Sequence, residues 1–236
     1  MSRVDLAALS ALADEIVGCR ACPRLVAWRE QVAEEKRASF RAETYWGRPL
    51  PGFGDPRARV LVVGLAPAAH GGNRTGRVFT GDRSADWLVA AMFRAGFANQ
   101  PTSITSDDGL ELHDAYIAAA VRCAPPANKP TPAERDRCLP YLVRELDALA
   151  AVKVIVVLGG FAYEAVGRVL AAAGSPLPVP RPKFGHGIEV TTDRAVVLGC
   201  YHPSQQNTFT GRLTEPMIDD VFVRARALAG AVPSRP

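Results

Sequence analysis

Short apolar runs alternate with amphipathic segments along the chain, and the two patterns predict different elements. Apolar runs bounded by turn residues are typical of buried parallel strands, whereas apolar residues three and four positions apart indicate helices. The predicted strands cover residues 59–64, 115–121, 153–158, 188–192 and 195–200. The predicted helices cover residues 4–18, 84–95, 132–150, 160–173 and 214–228. Because strands that alternate with helices form a parallel sheet covered on both faces, the pattern predicts one α/β domain over residues 1–236.

Two segments lack both patterns and are predicted as loops. Residues 23–56 are charged at first and then rich in Gly, Pro and aromatic residues, which favours a long ordered loop. Residues 66–83 are rich in glycine and follow the first predicted strand. Gly18 is a typical residue at the end of a helix, and Thr131 is a typical cap at the start of one.

The composition is that of a folded globular protein. Of the 236 residues, 48% are hydrophobic and 22% are charged, which excludes a disordered chain. No apolar run approaches the roughly 18 residues of a membrane-spanning helix. Asp5, Asp14 and Glu15 interrupt the stretch that would be apolar throughout in a signal peptide. We therefore expect a soluble, cytoplasmic protein with no membrane partner.

The net charge of +4 is too small to indicate a nucleic-acid partner by itself, but the basic residues are nearly all arginine. Of the 28 basic residues, 24 are Arg and four are Lys. Arginine binds phosphate through paired hydrogen bonds and stacks on bases. A GC-rich genome produces the same bias, so both explanations stay open.

Four of the five cysteines are spaced as metal ligands. Cys19 and Cys22 form a CxxC pair that a single turn can bring to one centre, and Cys123 and Cys138 flank a Pro-rich loop. Four thiolates suit a structural zinc ion or a four-iron, four-sulfur cluster, and the spacing does not choose between them. The alternative is that Cys123 and Cys138 are small buried hydrophobic residues, which is our interpretation of Cys200 at the end of an apolar strand.

The loops after two predicted strands carry side chains suited to a binding cleft. Ligands of open α/β sheets bind at the carboxyl ends of the strands. The Gly-rich loop there contains Phe79, with an expected exposed face for stacking, and Asp82, whose alternative role is to cap the next helix. His202 follows the last strand and is expected to face the same cleft. The glycine pattern matches neither a dinucleotide fingerprint nor a P-loop.

Three motifs together resemble the uracil-DNA glycosylase superfamily. The loop GLAPAAHGGNRTGRVFTGD (64–82) is similar to its first motif, and HPSQQN (202–207) is similar to its second. The segment RCAPPANKPTPAERDRC (122–138) resembles the iron–sulfur branch, specifically the bacterial family 5 (type B) enzymes. The resemblance covers most of the chain. It implies a three-layer αβα sandwich around a mainly parallel four-stranded sheet.

The resemblance implies a DNA repair enzyme that flips a base out of DNA and hydrolyses its N-glycosidic bond. Asp82 and Asn128 would orient or activate the water, and His202 would donate a hydrogen bond to the departing base. The residues implied to hold the base are Gly64, Leu65, Ala66 and Phe79, and Asn207 would hold either the base or the backbone. The residues implied to contact DNA are Phe209, Arg212 and Leu213. Because no lysine is marked as a nucleophile, we expect a monofunctional enzyme that leaves an abasic site.

Departures from better-known families of this superfamily bear on selectivity. Leu65 stands where family 4 has a glutamate, and Ala66 stands where family 1 has a water-activating aspartate. Ala119 replaces an asparagine that reads the uracil edge in family 4. These changes predict a relaxed choice among uracil and other deaminated or damaged bases, such as hypoxanthine.

The same resemblance makes Cys19, Cys22, Cys123 and Cys138 ligands of a structural four-iron, four-sulfur cluster. It implies double-stranded DNA as the partner, with single strands left open, and a monomer acting at the nucleoid in the bacterial cytoplasm. Two other hypotheses remain. One is a non-catalytic iron–sulfur or zinc module that binds nucleic acid, and the other is a doubly wound enzyme for a small nucleotide.

Overall fold

A computed structural model describes residues 6–230 of the chain. The helices are α1 (Leu6–Gly18), α2 (Pro23–Glu35), α3 (Gly72–Thr75), α4 (Arg83–Arg94), α5 (Pro132–Ala148), α6 (Gly160–Ala172), α7 (Gln205–Phe209) and α8 (Glu215–Ala229). The strands are β1 (Phe53–Gly54), β2 (Val60–Gly64), β3 (Ala115–Ala119), β4 (Val154–Leu158), β5 (Glu189–Thr191) and β6 (Val196–Cys200). Single turns of 3₁₀ helix lie at Ala38–Phe40 and Pro126–Asn128.

Each predicted strand and helix is present close to its expected bounds. Residues 4 and 5 of the predicted first helix lie outside the described part of the chain. Thr131 caps α5 as expected, with its hydroxyl accepting from the Glu134 N–H and the Glu134 carboxylate reaching back to the Thr131 N–H. Between residues 6 and 230, no helix has both the length and the apolar character needed to cross a membrane.

The sheet has six strands in the order β1-β3-β2-β4-β6-β5. The four central strands are parallel, and in their register Val62 lies opposite both Ile117 and Val156. The expected sheet has four strands, and the additional ones are short antiparallel edges. Of these, β1 has two residues, which is too short for any alternation to mark it in the sequence.

Alternate side chains of the central strands face two helical layers, which produces the three-layer sandwich. Val60 and Val62 pack in the same cluster as residues of α4 and α8, while Leu61 and Val63 pack with residues of α5 and α6. Because β2, β3 and β4 are buried along their whole length, they are continuous apolar runs in the sequence. The carboxyl ends of the parallel strands meet at one edge of the sheet, where such folds bind their ligands.

The prediction of a loop over residues 23–56 is wrong for its first part, which forms α2. Pro23 stands in the first turn, where its missing N–H costs nothing, and Leu25 and Val32 are buried. Arg29 is also buried, with 2% of its surface exposed. Because an arginine occupies a buried position, the apolar repeat of α2 is incomplete in the sequence.

Candidate active site

The loops that follow β2 and β6 meet at the carboxyl edge of the sheet, on either side of β4. The centroids of the Phe79 and His202 rings are 6.2 Å apart, with the ring planes inclined by 34°. Gly64 at the end of β2 permits this approach, since a Cβ there would lie 2.5 Å from the Phe79 ring. Gly159 after β4 lies in ordinary contact range of His202, with 3.4 Å between its added Cβ and that of the histidine. The fold thus brings together residues more than 120 positions apart in the sequence.

Phe79 is buried, with 9% of its surface exposed, so the expectation of an exposed stacking face is wrong in this conformation. The reason is that its ring packs between Gly64 and His202. The Phe79 backbone has a φ of 48°, in the left-handed region that bulky residues rarely adopt. Such a conformation persists only where the surrounding structure holds it in place.

A buried polar network next to Phe79 holds this conformation. Arg77 donates to the hydroxyls of Thr80 at 2.9 Å and Ser103 at 3.1 Å, and to the Asp108 carboxylate at 2.7 Å. The hydrogen bonds from Arg77 lower the pKa of Asp108 against the opposing effect of burial, so the ion pair is maintained at neutral pH. Thr80 and Ser103 have no exposed surface. Because these groups are fully satisfied, the network fixes the loop that carries Phe79 and Asp82.

His202 is neutral at physiological pH. Burial lowers the pKa of its imidazole to about 4. Its backbone carbonyl accepts a hydrogen bond from Nδ2 of Asn207 at 2.8 Å, and the Ser204 hydroxyl caps α7. Asn207 therefore holds the His202 backbone, which is one of the two roles expected for it. A neutral imidazole in this position has one N–H to donate to a ligand.

Asp82 caps α4, which confirms the alternative role given by the sequence. Its Oδ1 accepts a hydrogen bond from the Ala85 N–H at 3.0 Å. Its Oδ2 lies against Gly71, where an added Cβ would be only 2.1 Å away. Burial raises the pKa of the Asp82 carboxyl, while the backbone N–H groups of Ala85 and Ser84 and the charge of Arg74 lower it. Oδ1 of the carboxylate is thus engaged in the helix cap.

Asn128 lies in the 3₁₀ turn of the PPANK loop and is exposed. Its φ of 54° is left-handed, a conformation that asparagine tolerates well. Arg24 of α2 anchors the loop by donating to the Lys129 carbonyl at 3.1 Å. Among the described residues, no hydrogen bond joins the Asn128 side chain to Asp82 or His202.

Of the three residues predicted to contact DNA, two lie on the surface and one does not. Phe209 is 66% exposed at the end of α7, with the Arg83 guanidinium 4.6 Å from its ring centroid. Arg212 is exposed and stacks over Tyr201 at 4.7 Å. Leu213 has no exposed surface because its side chain packs in the core between the sheet and α4 and α8, which corrects its predicted contact with DNA.

Cys22, Cys123 and Cys138 pack in one buried cluster with Leu25 and Val121, and all five cysteines are free thiols. Burial raises the pKa of the Cys22, Cys123 and Cys138 thiols. Within residues 6–230, no three Cys, His, Asp or Glu side chains are arranged as ligands of one metal ion.

Arg29 links two of these cysteines. Its Nη1 donates to Cys123 Sγ at 2.9 Å, and its Nη2 donates to the Cys19 carbonyl at 3.1 Å. Cys19 is half-buried at the turn between α1 and α2. Cys200 has no exposed surface and lies in the main core at the end of β6, which confirms its interpretation as a core residue.

Comparison with known proteins shows what this site belongs to. A family model described as the uracil DNA glycosylase superfamily matches residues 51–225. A type-5 uracil-DNA glycosylase of Mycobacterium tuberculosis is 56% identical over 214 residues, covering 90% of this chain and 78% of the relative. The chain belongs to the type-5 uracil-DNA glycosylases.

Two further type-5 uracil-DNA glycosylases support this membership. The protein of Mycobacterium leprae is 53% identical over 218 residues, which are 92% of this chain and 93% of the relative. The protein of Thermus thermophilus is 49% identical over 221 residues, which are 93% of this chain and 98% of the relative.

In this type-5 chain, the backbone at the end of β2 is partly engaged in the sheet. The carbonyls of Gly64 and Leu65 accept hydrogen bonds from the N–H groups of Ala120 at 2.9 Å and Val121 at 3.0 Å. Leu65 and Ala66 are half-buried at the start of the loop. The carbonyls of Gly64 and Leu65 are therefore already engaged in hydrogen bonds within the protein.

The buried arginines around the site were not predicted from the sequence. Arg29, Arg74, Arg77 and Arg122 are each at most 7% exposed. The first three bind a loop or a cysteine, and Arg122 pairs with Glu145 of α5. Arginine is normally an exposed residue, so no local pattern marks a buried one. The only signal is the overall excess of arginine, which by itself points to no position.

Proposed function

We propose that this protein is a monofunctional DNA glycosylase that removes uracil and other deaminated bases, such as hypoxanthine, and leaves an abasic site. The observation that carries the proposal is the cleft at the sheet edge, where a neutral His202 and Phe79 lie together. Asp82, on the same loop as Phe79, has one carboxylate oxygen outside its helix cap. The names of the type-5 relatives agree with this activity.

The proposed reaction begins with a base flipped out of the stack, which costs least for a mispaired base. The flipped base packs beside Phe79 and the backbone of Gly64, Leu65 and Ala66. As the glycosidic bond breaks, its electron pair leaves with the base and the sugar becomes a cation. The neutral His202 imidazole donates a hydrogen bond to the base oxygen on which negative charge develops.

Asp82 acts on the sugar side of the same bond. Its carboxylate stabilises the cationic sugar and accepts a proton from the water molecule that adds to C1′. Asn128 shares the orientation of that water once the DNA is bound. The products are a free base and an abasic sugar, and no bond of the phosphate backbone is broken.

Relaxed base selectivity follows from the residue at the end of β3. Ala119 is 3% exposed and carries no amide to pair with the edge of uracil. A pocket without a fixed donor and acceptor at that position discriminates less between uracil and hypoxanthine. Double-stranded DNA is the proposed substrate, because Phe209 and Arg212 are exposed beside the cleft and suited to enter or flank the gap in the stack.

We also propose that Cys19, Cys22, Cys123 and Cys138 hold a four-iron, four-sulfur cluster. Four thiols with no carboxylate or imidazole among them are the donor set such a cluster takes, and each thiol binds a separate iron. The ligands of a cluster therefore lie farther apart than the ligands of one ion. The absence of a single-ion site among the described residues is compatible with such an arrangement. When bound, the cluster supplies structural cross-linking between α1, α2 and the segment 123–138.

We propose that residues 1–236 form one glycosylase domain that acts as a monomer, because a cleft and an exposed wedge need no second subunit. The site of action proposed is the bacterial cytoplasm at the nucleoid, in keeping with the DNA substrate and the bacterial relatives.

The proposal is tested with end-labelled duplexes that hold one uracil opposite guanine or one hypoxanthine opposite thymine. Under single-turnover conditions, we expect strand breaks at both lesions only after alkali treatment. Breaks at uracil alone would overturn the relaxed selectivity. Tight duplex binding with no break at either lesion would show that the protein is a non-catalytic nucleic-acid-binding module and not an enzyme.

Replacing His202 by phenylalanine tests the role of its N–H while keeping a ring beside Phe79. We expect the single-turnover rate on the uracil duplex to fall by about 10²- to 10³-fold. Because the pKa of His202 is lowered to about 4, the ring is neutral at both pH 6 and pH 8, so the loss is the same at both. The exposed His113 provides the control, and His113→Phe leaves the rate unchanged. A loss that differs between pH 6 and pH 8 would show that the wild-type imidazole titrates in this range.

A further inference from the structure

Arg74 is a buried arginine of α3 whose guanidinium binds backbone on two sides. Its Nε donates to the His70 carbonyl at 2.8 Å, and its Nη2 donates to the Gly81 carbonyl at 3.0 Å. Its Nη1 donates to the Glu43 carboxylate, and the guanidinium stacks on the Phe40 ring at 4.0 Å. Only 6% of the residue is exposed.

The two carbonyls that Arg74 binds flank the Asp82 carboxylate. Gly81 immediately precedes Asp82, and His70 immediately precedes Gly71, against which Asp82 Oδ2 lies. A single planar guanidinium thus fixes the distance between the segment that carries the carboxylate and the segment that borders its second oxygen. Arginine is suited to this because its donors diverge in a rigid plane.

The space around this arrangement is closed to larger residues. A Cβ at Gly81 would lie 2.4 Å from Arg74 Nη2, and the Gly81 φ of +73° also favours glycine. A Cβ at Gly71 would lie 2.1 Å from Asp82 Oδ2. Both glycines are therefore required for the guanidinium and the carboxylate to occupy their positions.

We propose that Arg74 is a positioning residue for the glycosylase reaction, which holds the Asp82 carboxylate in place through the two backbone carbonyls and contributes a positive charge to its surroundings. This inference rests on the proposed role of Asp82 in activating water. The inference gives the positive charge of Arg74 a role in addition to that of its hydrogen bonds. A neutral residue of the same length would support the loop but would not stabilise the Asp82 carboxylate.

The charges around Asp82 give the sign of the effect. Arg74 from α3 lowers the pKa of Asp82, and Asp86 from α4 raises it, in addition to the larger rise caused by burial. Arg83 acts on Asp86, and Glu43 partly neutralises Arg74. On the same loop, burial lowers the pKa of His70, as do the charges of Arg37 and Arg74. A general base works only when deprotonated, so its rate falls as pH drops through its pKa. Loss of the Arg74 charge therefore starts that fall at a higher pH.

The test measures single-turnover uracil excision between pH 5 and pH 8 for the wild type, Arg74→Gln and Arg74→Lys. We expect Arg74→Gln to raise the ratio of the rate at pH 8 to the rate at pH 5 severalfold, because the charge of Arg74 is one of several influences on the pKa of Asp82. Arg74→Lys retains the charge and keeps the wild-type ratio, although its rate is lower at every pH.

Arg77→Gln is the matched control, since Arg77 is equally buried in the same loop and pairs with Asp108. It is expected to lower stability and rate without changing the pH ratio. If Arg74→Gln lowers the rate by one factor at every pH, Arg74 is only a structural residue and the inference is overturned. If Arg74→Gln fails to fold, Glu43→Gln provides the reverse test, because the Glu43 side chain is 45% exposed and partly neutralises Arg74. This variant must lower the ratio of the rate at pH 8 to the rate at pH 5.

The wild-type and Asp82→Asn profiles separate this inference from the proposed function. The acid limb is the fall in the excision rate towards low pH. If this fall disappears in Asp82→Asn but keeps its position in Arg74→Gln and Glu43→Gln, only the role of Arg74 is overturned. An acid limb that persists in Asp82→Asn overturns the role of Asp82 itself, and with it the basis of this inference.

Discussion

Asp82→Asn is expected to slow uracil excision by about 10²- to 10⁴-fold while leaving the fold intact. Asparagine caps helices as well as aspartate does, so the hydrogen bond from the Ala85 N–H to the side-chain oxygen is retained. The amide cannot accept the proton of the attacking water, and it carries no charge to stabilise the cationic sugar. The measurement is the single-turnover rate on a duplex with one uracil opposite guanine, together with the thermal midpoint of unfolding.

Asp86→Asn is the matched control for this variant. Asp86 lies in the first turn of the same helix, exposed to solvent, and it is not part of the cap. We expect this variant to excise uracil at close to the wild-type rate. The account is contradicted if Asp82→Asn keeps more than a tenth of the wild-type rate, or if both variants lose activity equally.

Cys22→Ala is expected to abolish the brown absorbance of the purified protein and to lower its free energy of unfolding by more than about 4 kcal/mol. Cys22 is 7% exposed and stands at the N-cap of α2, next to Cys123 and Cys138. Loss of a ligand removes the cross-link between α2 and the segment 123–138. Optical absorbance and iron content measure the loss of the cluster, and urea unfolding measures the loss of stability.

Cys200→Ala removes an equally buried thiol outside the proposed ligand set. It leaves a small void in the core at the end of β6 and is expected to cost only about 1 kcal/mol, with the absorbance and the iron content unchanged. If Cys22→Ala retains full iron content, or Cys200→Ala loses it, the assignment of the four ligands is wrong.

The sequence predicted the sheet well because each central strand is buried on both sides. Burial of this kind produces an uninterrupted apolar run, as in Val154–Leu158, that no other element of this chain imitates. Helix α2 was missed for the opposite reason, since Arg29 occupies a buried position on its apolar face. The two-residue strand β1 is too short to leave a pattern and depends on pairing with β3.

The position of the cleft was also predictable, because parallel strands deliver their following loops to one edge of a sheet. This placed His202 near Phe79 without any knowledge of distances. The burial of Phe79 and Leu213 was not predictable, since both depend on contacts with residues distant in the sequence. The role of Arg74 has the same origin, because nothing local distinguishes it from the exposed arginines.

The central claim is that the chain releases a free base by adding water to the sugar. The most direct measurement incubates the purified protein with a uracil-containing duplex in water labelled with ¹⁸O and analyses the products by mass spectrometry. We predict one unlabelled uracil per lesion and an intact strand, because water attacks the sugar and not the base. Absence of free uracil, or a strand broken without alkali, would contradict the account.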